Sequence, residues 1–349
     1  MTFQTTLGRS RVALAAALMV SFTSMGFAQH YTLTNLVGNQ TGAASHTDTN
    51  LVNGWGLSRS ATSPWWVVDN GTGKSTLYNG TGVQSALVVT VPGGPTGTVF
   101  NGTTGFQLIP GKSALFLFAA EDGTISGWNP QVNPAKAQVV ATTPGAVYKG
   151  LTIAIINGVP QLYAADFRNN QIDVFDTTFR KVNSIQGGAG FAPFNVQNIG
   201  DTLYVAFAQP DSAGPDELDG AGLGLIGAYT LDGRLIRFFE RPLSLNAPWG
   251  MAMAPSEFGS FSHYLLVGQF GSGEILAFNP QSGAFAGKLL APDGKTITIP
   301  GLWGISFGNG GNSGPLNNLY FTAGPDGESN GLFGSLVPVS TDLIQGNGN

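Results

Sequence analysis

The sequence predicts an all-β fold, a six-bladed β-propeller of four-stranded blades, and three observations carry that prediction. A small residue flanked by large apolar ones recurs six times along the chain. Each copy is followed by short apolar segments punctuated by Asn, Asp, Pro and Gly, the residues of tight turns. An apolar-alternating segment before the first copy matches a strand missing after the last.

The recurring unit is Trp55-Gly56-Leu57, Thr104-Gly105-Phe106, Lys149-Gly150-Leu151, Phe194-Asn195-Val196, Trp249-Gly250-Met251 and Trp303-Gly304-Ile305. Its centres are separated by 49, 45, 45, 55 and 54 residues, a repeat of propeller size rather than the 20–30 residues common in a parallel β-helix. A second strand follows at Trp66–Val68, Leu115–Phe118, Leu162–Ala164, Leu203–Val205, Leu265–Val267 and Leu319–Phe321. Third strands are expected at Ser75–Tyr78, Thr124–Trp128, Gln171–Phe175, Leu225–Tyr229, Glu274–Phe278 and Leu332–Val337. A fourth is visible in most copies, as at Ala86–Val91, Gln138–Ala141, Leu235–Phe239 and Ala286–Leu290. The sixth copy stops after three strands, so Tyr31–Val37 is expected to pair as its outer strand and close the ring.

Composition fixes the class of molecule. Of 349 residues only 10% are charged and 42% are hydrophobic, with 15 Lys+Arg against 20 Asp+Glu and no Cys. Such a chain is not disordered, and so few basic residues give no footprint for nucleic acid or an anionic membrane surface. Residues 1–28 read as a secretory signal peptide: Arg9 and Arg11, an apolar stretch from Val12 to Val20, then Gly26-Phe27-Ala28 with cleavage after Ala28. The apolar stretch is too short to span a bilayer, and with no Cys a lipoprotein anchor is excluded. Residues 29–340 are then a single propeller domain and 341–349 a disordered tail. The expected product is an exported monomer, periplasmic or extracellular, with no membrane span and a formal charge of −7 (13 basic against 20 acidic).

The stretch from Leu162 to Asp176, an apolar strand, Asp166, the turn Arg168-Asn169-Asn170 and a strand ending Phe175-Asp176, resembles an NHL-type propeller repeat. Through Asn50–Leu57, Pro64–Asn70 and Ser75–Gly80, residues 31–340 resemble a family of uncharacterised secreted bacterial propellers. The resemblance implies fold and export, and brings no established activity. Some relatives carry a C-terminal Pro-Glu-Pro sorting signal; Thr341–Asn349 has none.

Function is sought on one face. Loops joining second to third strands emerge with the inter-blade loops and hold Asp69, Glu121, Asp122, Asp166, Asp211, Asp216, Glu217, Asp219, Asp326 and Glu328, half of all the acids, against Lys74, Arg168 and the nearby Lys149. This face should be negative and favour cations. Candidate ligand-binding residues are Asp69, Asn70, Glu121, Asp166, Arg168 and Asn195, the last replacing a glycine near the channel. Calcium is the cofactor such a face would take, with Asp69, Asp166, Asn195, Asp216 and Asp219 as candidate ligands, although the spacing matches no defined calcium loop.

Other chemistry finds no constellation. His30, His46 and His263 are too few and too scattered for a zinc site or a nucleophilic relay. Gly304-Ile305-Ser306-Phe307-Gly308 spells a nucleophile elbow but lies in an expected innermost strand, where the required strand-to-helix turn is missing. Trp55, Trp249 and Trp303 are expected to pack between blades, and Trp65, beside Trp66, is expected to be exposed. The reading is therefore a binding or interaction module acting through an acidic top face on a small molecule, saccharide or protein. The alternative is a calcium-dependent, lactonase-like hydrolase or lyase with its metal at the channel mouth.

Overall fold

The structure is a computed structural model that describes residues 1–2 and 29–342, apart from Ala189 and Ala213. Residues 3–28, where a signal peptide is expected, and residues 343–349, within the expected disordered tail, lie outside the described residues.

Six antiparallel sheets follow one another around a central channel. The first blade comprises Gly54–Ser58, Trp65–Asp69, Lys74–Tyr78 and Gln84–Thr90. The second comprises Pro95–Phe100, Phe116–Ala120, Thr124–Trp128 and Gln138–Thr142; the third, Tyr148–Ile156, Val159–Asp166, Gln171–Phe175 and Lys181–Gln186. The fourth comprises Ala192–Ile199, Thr202–Pro210, Gly224–Tyr229 and Leu235–Phe238; the fifth, Pro248–Met253, Leu265–Gln269, Ile275–Phe278 and Phe285–Lys288. The sixth takes Leu302–Phe307, Leu319–Ala323 and Leu332–Pro338 from the end of the chain and Tyr31–Gly38 from its start.

The ring closes as expected from the orphan strand. Tyr31 pairs with Pro338 and Gly38 with Leu332, antiparallel throughout, with a bulge between Asn35 and Val37. Tyr31 is buried, its hydroxyl donating to the Phe258 carbonyl at 2.8 Å, so the closing strand is fastened to blade five as well. Closure covers the outer edge of Leu332–Pro338, which would otherwise be unpaired.

Two expectations need correction. The innermost strand of blade two is Pro95–Phe100, so the recurrent glycine there is Gly97; Gly105 sits in a loop before a small hairpin, Gln107–Ile109 with Lys112–Ser113. Threonines rather than large apolar residues flank Gly97, which hid it in the sequence. A Cβ on Gly97 would lie 2.7 Å from the Leu151 amide nitrogen of the next blade, so this position must be bare for adjacent inner strands to approach. Trp65 is fully buried with its Nε1 donating to the Ser313 carbonyl at 2.9 Å, and Trp66 is buried too, stacked on Phe116. Alternation does send the two rings to opposite faces, but in a propeller both faces of a blade pack on neighbours.

Candidate functional site

The tryptophans at the head of the innermost strands pack between blades as expected, and they do so across the channel. Trp55 and Trp303 stack at 3.7 Å between ring centroids, Trp249 meets both edge-on, and Phe194 and Phe270 pack against Trp303. Beneath them lies a cavity of about 30 Å³, room for about one water, lined in part by Thr98, Asn195, Gln197 and Ser306. The indoles therefore form a floor across the channel, with the polar groups of the mouth resting on it.

Lys149 is the residue that organises that mouth. It heads the innermost strand of blade three, the repeat position where four other blades carry Trp55, Phe194, Trp249 and Trp303. It is only 1% exposed. Its Nζ donates to Glu121 Oε1 at 2.7 Å and Asp216 Oδ1 at 2.8 Å, and sits 4.9 Å from the Trp55 ring centroid, within cation–π range. From Glu121 the network continues sideways. Asn70 Nδ2 donates to Glu121 Oε2 at 2.9 Å, and Asn53 Nδ2 donates to both Asn70 Oδ1 (3.3 Å) and Glu328 Oε2 (2.5 Å). Asn53 Oδ1 accepts the Trp303 indole proton at 2.8 Å. Blades one, two, three, four and six thus each contribute to one polar chain resting on the aromatic floor.

Charge in the mouth is concentrated around a buried ammonium, although its partner Asp216 remains 65% exposed. Burial works against the Lys149 ammonium, but Glu121, Glu217 and Asp216 outweigh it and hold the group above the ordinary lysine range. Burial raises the Glu217 carboxyl to about 7; Lys149 pulls it back in part, while Asp216 and Glu328 push it further up. Burial likewise raises Glu328, against the hydrogen bond from Asn53 and the charge of Lys149. Four carboxyls thus share a single ammonium.

Blade five breaks the ring. Its second-to-third connection is Phe270-Gly271-Ser272-Gly273-Glu274, whose one charged side chain is paired with Lys288 at 2.8 Å, and beside Phe270–Gly273 lies a cavity of about 340 Å³. Asp219, Asp326 and Glu328 wall it, Phe270 lies stacked on Trp303 at 4.0 Å, and the Ser272 hydroxyl is buried without a partner. Gly271 has to be bare, since a Cβ there would meet Asn246 and Asp219. Burial raises Asp219 above the usual carboxylate range.

The structure brings together Asn70, Glu121 and Asp216 of the sequence-derived candidates, around Lys149, and sets Asp219 in the neighbouring cavity. Asp69 is fully buried, with one carboxylate oxygen accepting from Thr76 at 3.3 Å and the other unpartnered, and burial raises its pKa strongly. Asp166 is buried in blade three and accepts from the Val147 amide and from Asn169. Arg168 is exposed. Asn195 bridges blades below the floor, its Nδ2 donating to the Trp249 carbonyl at 2.9 Å and its Oδ1 accepting from the Val196 amide. Its φ is not positive, so it serves as a connector rather than as a glycine substitute in a left-handed turn. Among the described residues no three His, Asp or Glu side chains are grouped as a metal ion would need. Lys149, Asn53 and Glu328 were the residues that sequence reasoning did not single out. The signal for Lys149 was its place as the one charged residue at an otherwise aromatic or hydroxylic repeat position.

No family model matches the chain. Two proteins of Acanthamoeba polyphaga mimivirus do: "Uncharacterized protein R648" is 34% identical over 324 residues, 86% of this chain and 78% of the relative. "Uncharacterized protein L690" is 33% identical over 328 residues, 86% of this chain and 84% of the relative. The chain belongs to their family. Among solved structures, a streptogramin B lyase superposes with a TM-score of 0.55 at 12% identity, covering 89% of this chain and 98% of the other. Virginiamycin B lyase from Staphylococcus aureus gives 0.53 at 13%, covering 89% and 100%. At such identities the likeness shows the propeller fold alone.

Proposed function

We propose that this chain is an exported binding module that takes a positively charged group, carried by a small molecule or a protein, at its acidic channel mouth. The cavity at blade five carries the reading: an aromatic ring and three carboxylates surround a space no side chain of the chain fills. Carboxylates raised by burial gain when a cation enters, because its charge restores what water no longer supplies. Export rests on Arg9, Arg11 and the short apolar run to Ala28, and on a body without cysteine that is stabilised by its core alone. The resemblance of residues 31–340 to secreted bacterial propellers, through Asn50–Leu57, Pro64–Asn70 and Ser75–Gly80, supports the same reading. Isothermal titration of the purified protein with tetralysine and with tetraglutamate tests the proposal. Saturable heat is expected for the first only, weakening as salt is added; binding of tetraglutamate alone, or of neither, overturns it.

A second reading, hydrolase or lyase chemistry at the mouth, is favoured by the Lys149 ammonium held between Glu121 and Asp216, next to which burial raises the Glu217 carboxyl to about 7, the range of a group that exchanges a proton at neutral pH. Turnover of streptogramin B, abolished by Glu217→Gln, would support it.

A further inference from the structure

The structure assigns to the Lys149 ammonium the place of a metal ion: it is the resident cation of the channel mouth, and it keeps that position closed to calcium. The inference is independent of which ligand the neighbouring cavity takes. An ammonium and a hard divalent cation ask for the same surroundings, several oxygen ligands converging from different segments with net negative charge. Lys149 Nζ is in contact with two such oxygens, Glu121 Oε1 from blade two at 2.7 Å and Asp216 Oδ1 from blade four at 2.8 Å. Asn70 braces the second oxygen of Glu121, and Glu217 and Glu328 lie close enough to act on the same charge. The arrangement joins blades across the mouth in the way a metal would. The side chain reaches this point from inside the fold, 1% exposed, with its own backbone carbonyl held by Trp249 Nε1 at 3.0 Å. An entering metal would have to expel a tethered, buried ammonium; a free ion cannot match that local concentration.

Removing the ammonium should therefore open a cation site. Terbium is a suitable probe, because Trp55 lies beneath Nζ and would sensitise its emission. In the wild type, Glu121→Gln should leave unchanged any saturable tryptophan-excited terbium emission and any calcium-induced shift of the melting temperature that the neighbouring cavity gives. In Lys149→Met, an additional saturable component of emission should appear, calcium should raise the melting temperature further, and the added change Glu121→Gln should remove both increments. Saturable terbium emission in the wild type that Glu121→Gln abolishes would overturn the inference, as would a folded Lys149→Met that binds no additional terbium. If Lys149→Met does not fold, Lys149→Gln, which retains a neutral donor, takes its place in the same titration, and the wild-type calcium melt stands by itself: a rise of several degrees that Glu121→Gln abolishes refutes a closed site.

Discussion

The indole Nε1 of Trp249 donates to the backbone carbonyl of Lys149 at 3.0 Å, tying the aromatic floor of the channel to the strand that carries the ammonium above it. Both partners are buried, so the bond cannot be exchanged for water. Trp249→Phe retains a ring but orphans that carbonyl, and should cost about 1–3 kcal/mol. Trp303→Ala, which removes a fully buried ring stacked on Trp55 and Phe270, should cost about 3–5 kcal/mol. Urea unfolding ranks the two; equal and negligible losses would show that the floor does not hold the mouth.

The glycine register predicts an asymmetry. Gly97→Ala drives a Cβ against the Leu151 backbone of blade three, whereas at Gly105 the obstacle is the Thr177 side chain. Backbone does not rotate away and a side chain does. Gly97→Ala should lose about 1–3 kcal/mol and Gly105→Ala less. Circular dichroism melts of both variants check the order, and the reverse order would restore Gly105 to the innermost strand.

The closing strand makes a third case. Tyr31→Ala removes a buried ring that packs on Phe258 at 4.6 Å and a hydroxyl bonded to the Phe258 carbonyl, joining the start of the chain to blade five. A loss of about 3–5 kcal/mol is expected, read as a lower urea midpoint. A loss under about 1 kcal/mol would mean that Tyr31 is not the fastening of the closing strand.

The pH dependence follows from groups whose folded pKa is raised. Glu217, near 7, and Asp69, raised strongly, bind a proton more tightly folded than unfolded. Their contribution is complete below the ordinary carboxylate range, about 4, and is lost as pH rises through the folded value, for Glu217 between about 4.5 and 7. The stability of Glu217→Gln relative to wild type should therefore rise across that window, as should that of Asp69→Asn on passing from acid to neutral pH. Chemical denaturation at pH 4.5 and 7.5 measures it; a relative stability that falls with pH would have the wrong sign.

The fold was legible because propeller blades repeat the same physics. Five of the six have a bare innermost position, and all have an apolar second strand and turn residues; Gly56, Gly150, Gly250 and Gly304 kept that register visible. Gly97 was lost because Thr96 and Thr98 broke the apolar flanks. The mouth was legible only as a charge excess. That Asp69 and Asp166 turn inward while Glu121 and Asp216 turn to the centre depends on a few degrees of loop geometry that spacing does not encode. Lys149 looked like one more basic residue near an acidic face, because its burial arises from five blades meeting and from no local pattern.

The most direct test of the acidic mouth as a cation-binding surface is the affinity for tetralysine of the wild type and of Asp326→Asn/Glu328→Gln, which neutralises two walls of the cavity at blade five and keeps their shape. The account predicts at least a tenfold loss, about 1.4 kcal/mol, with the fold intact by circular dichroism. Unchanged affinity in a folded double variant would contradict it and move the binding surface elsewhere on the propeller.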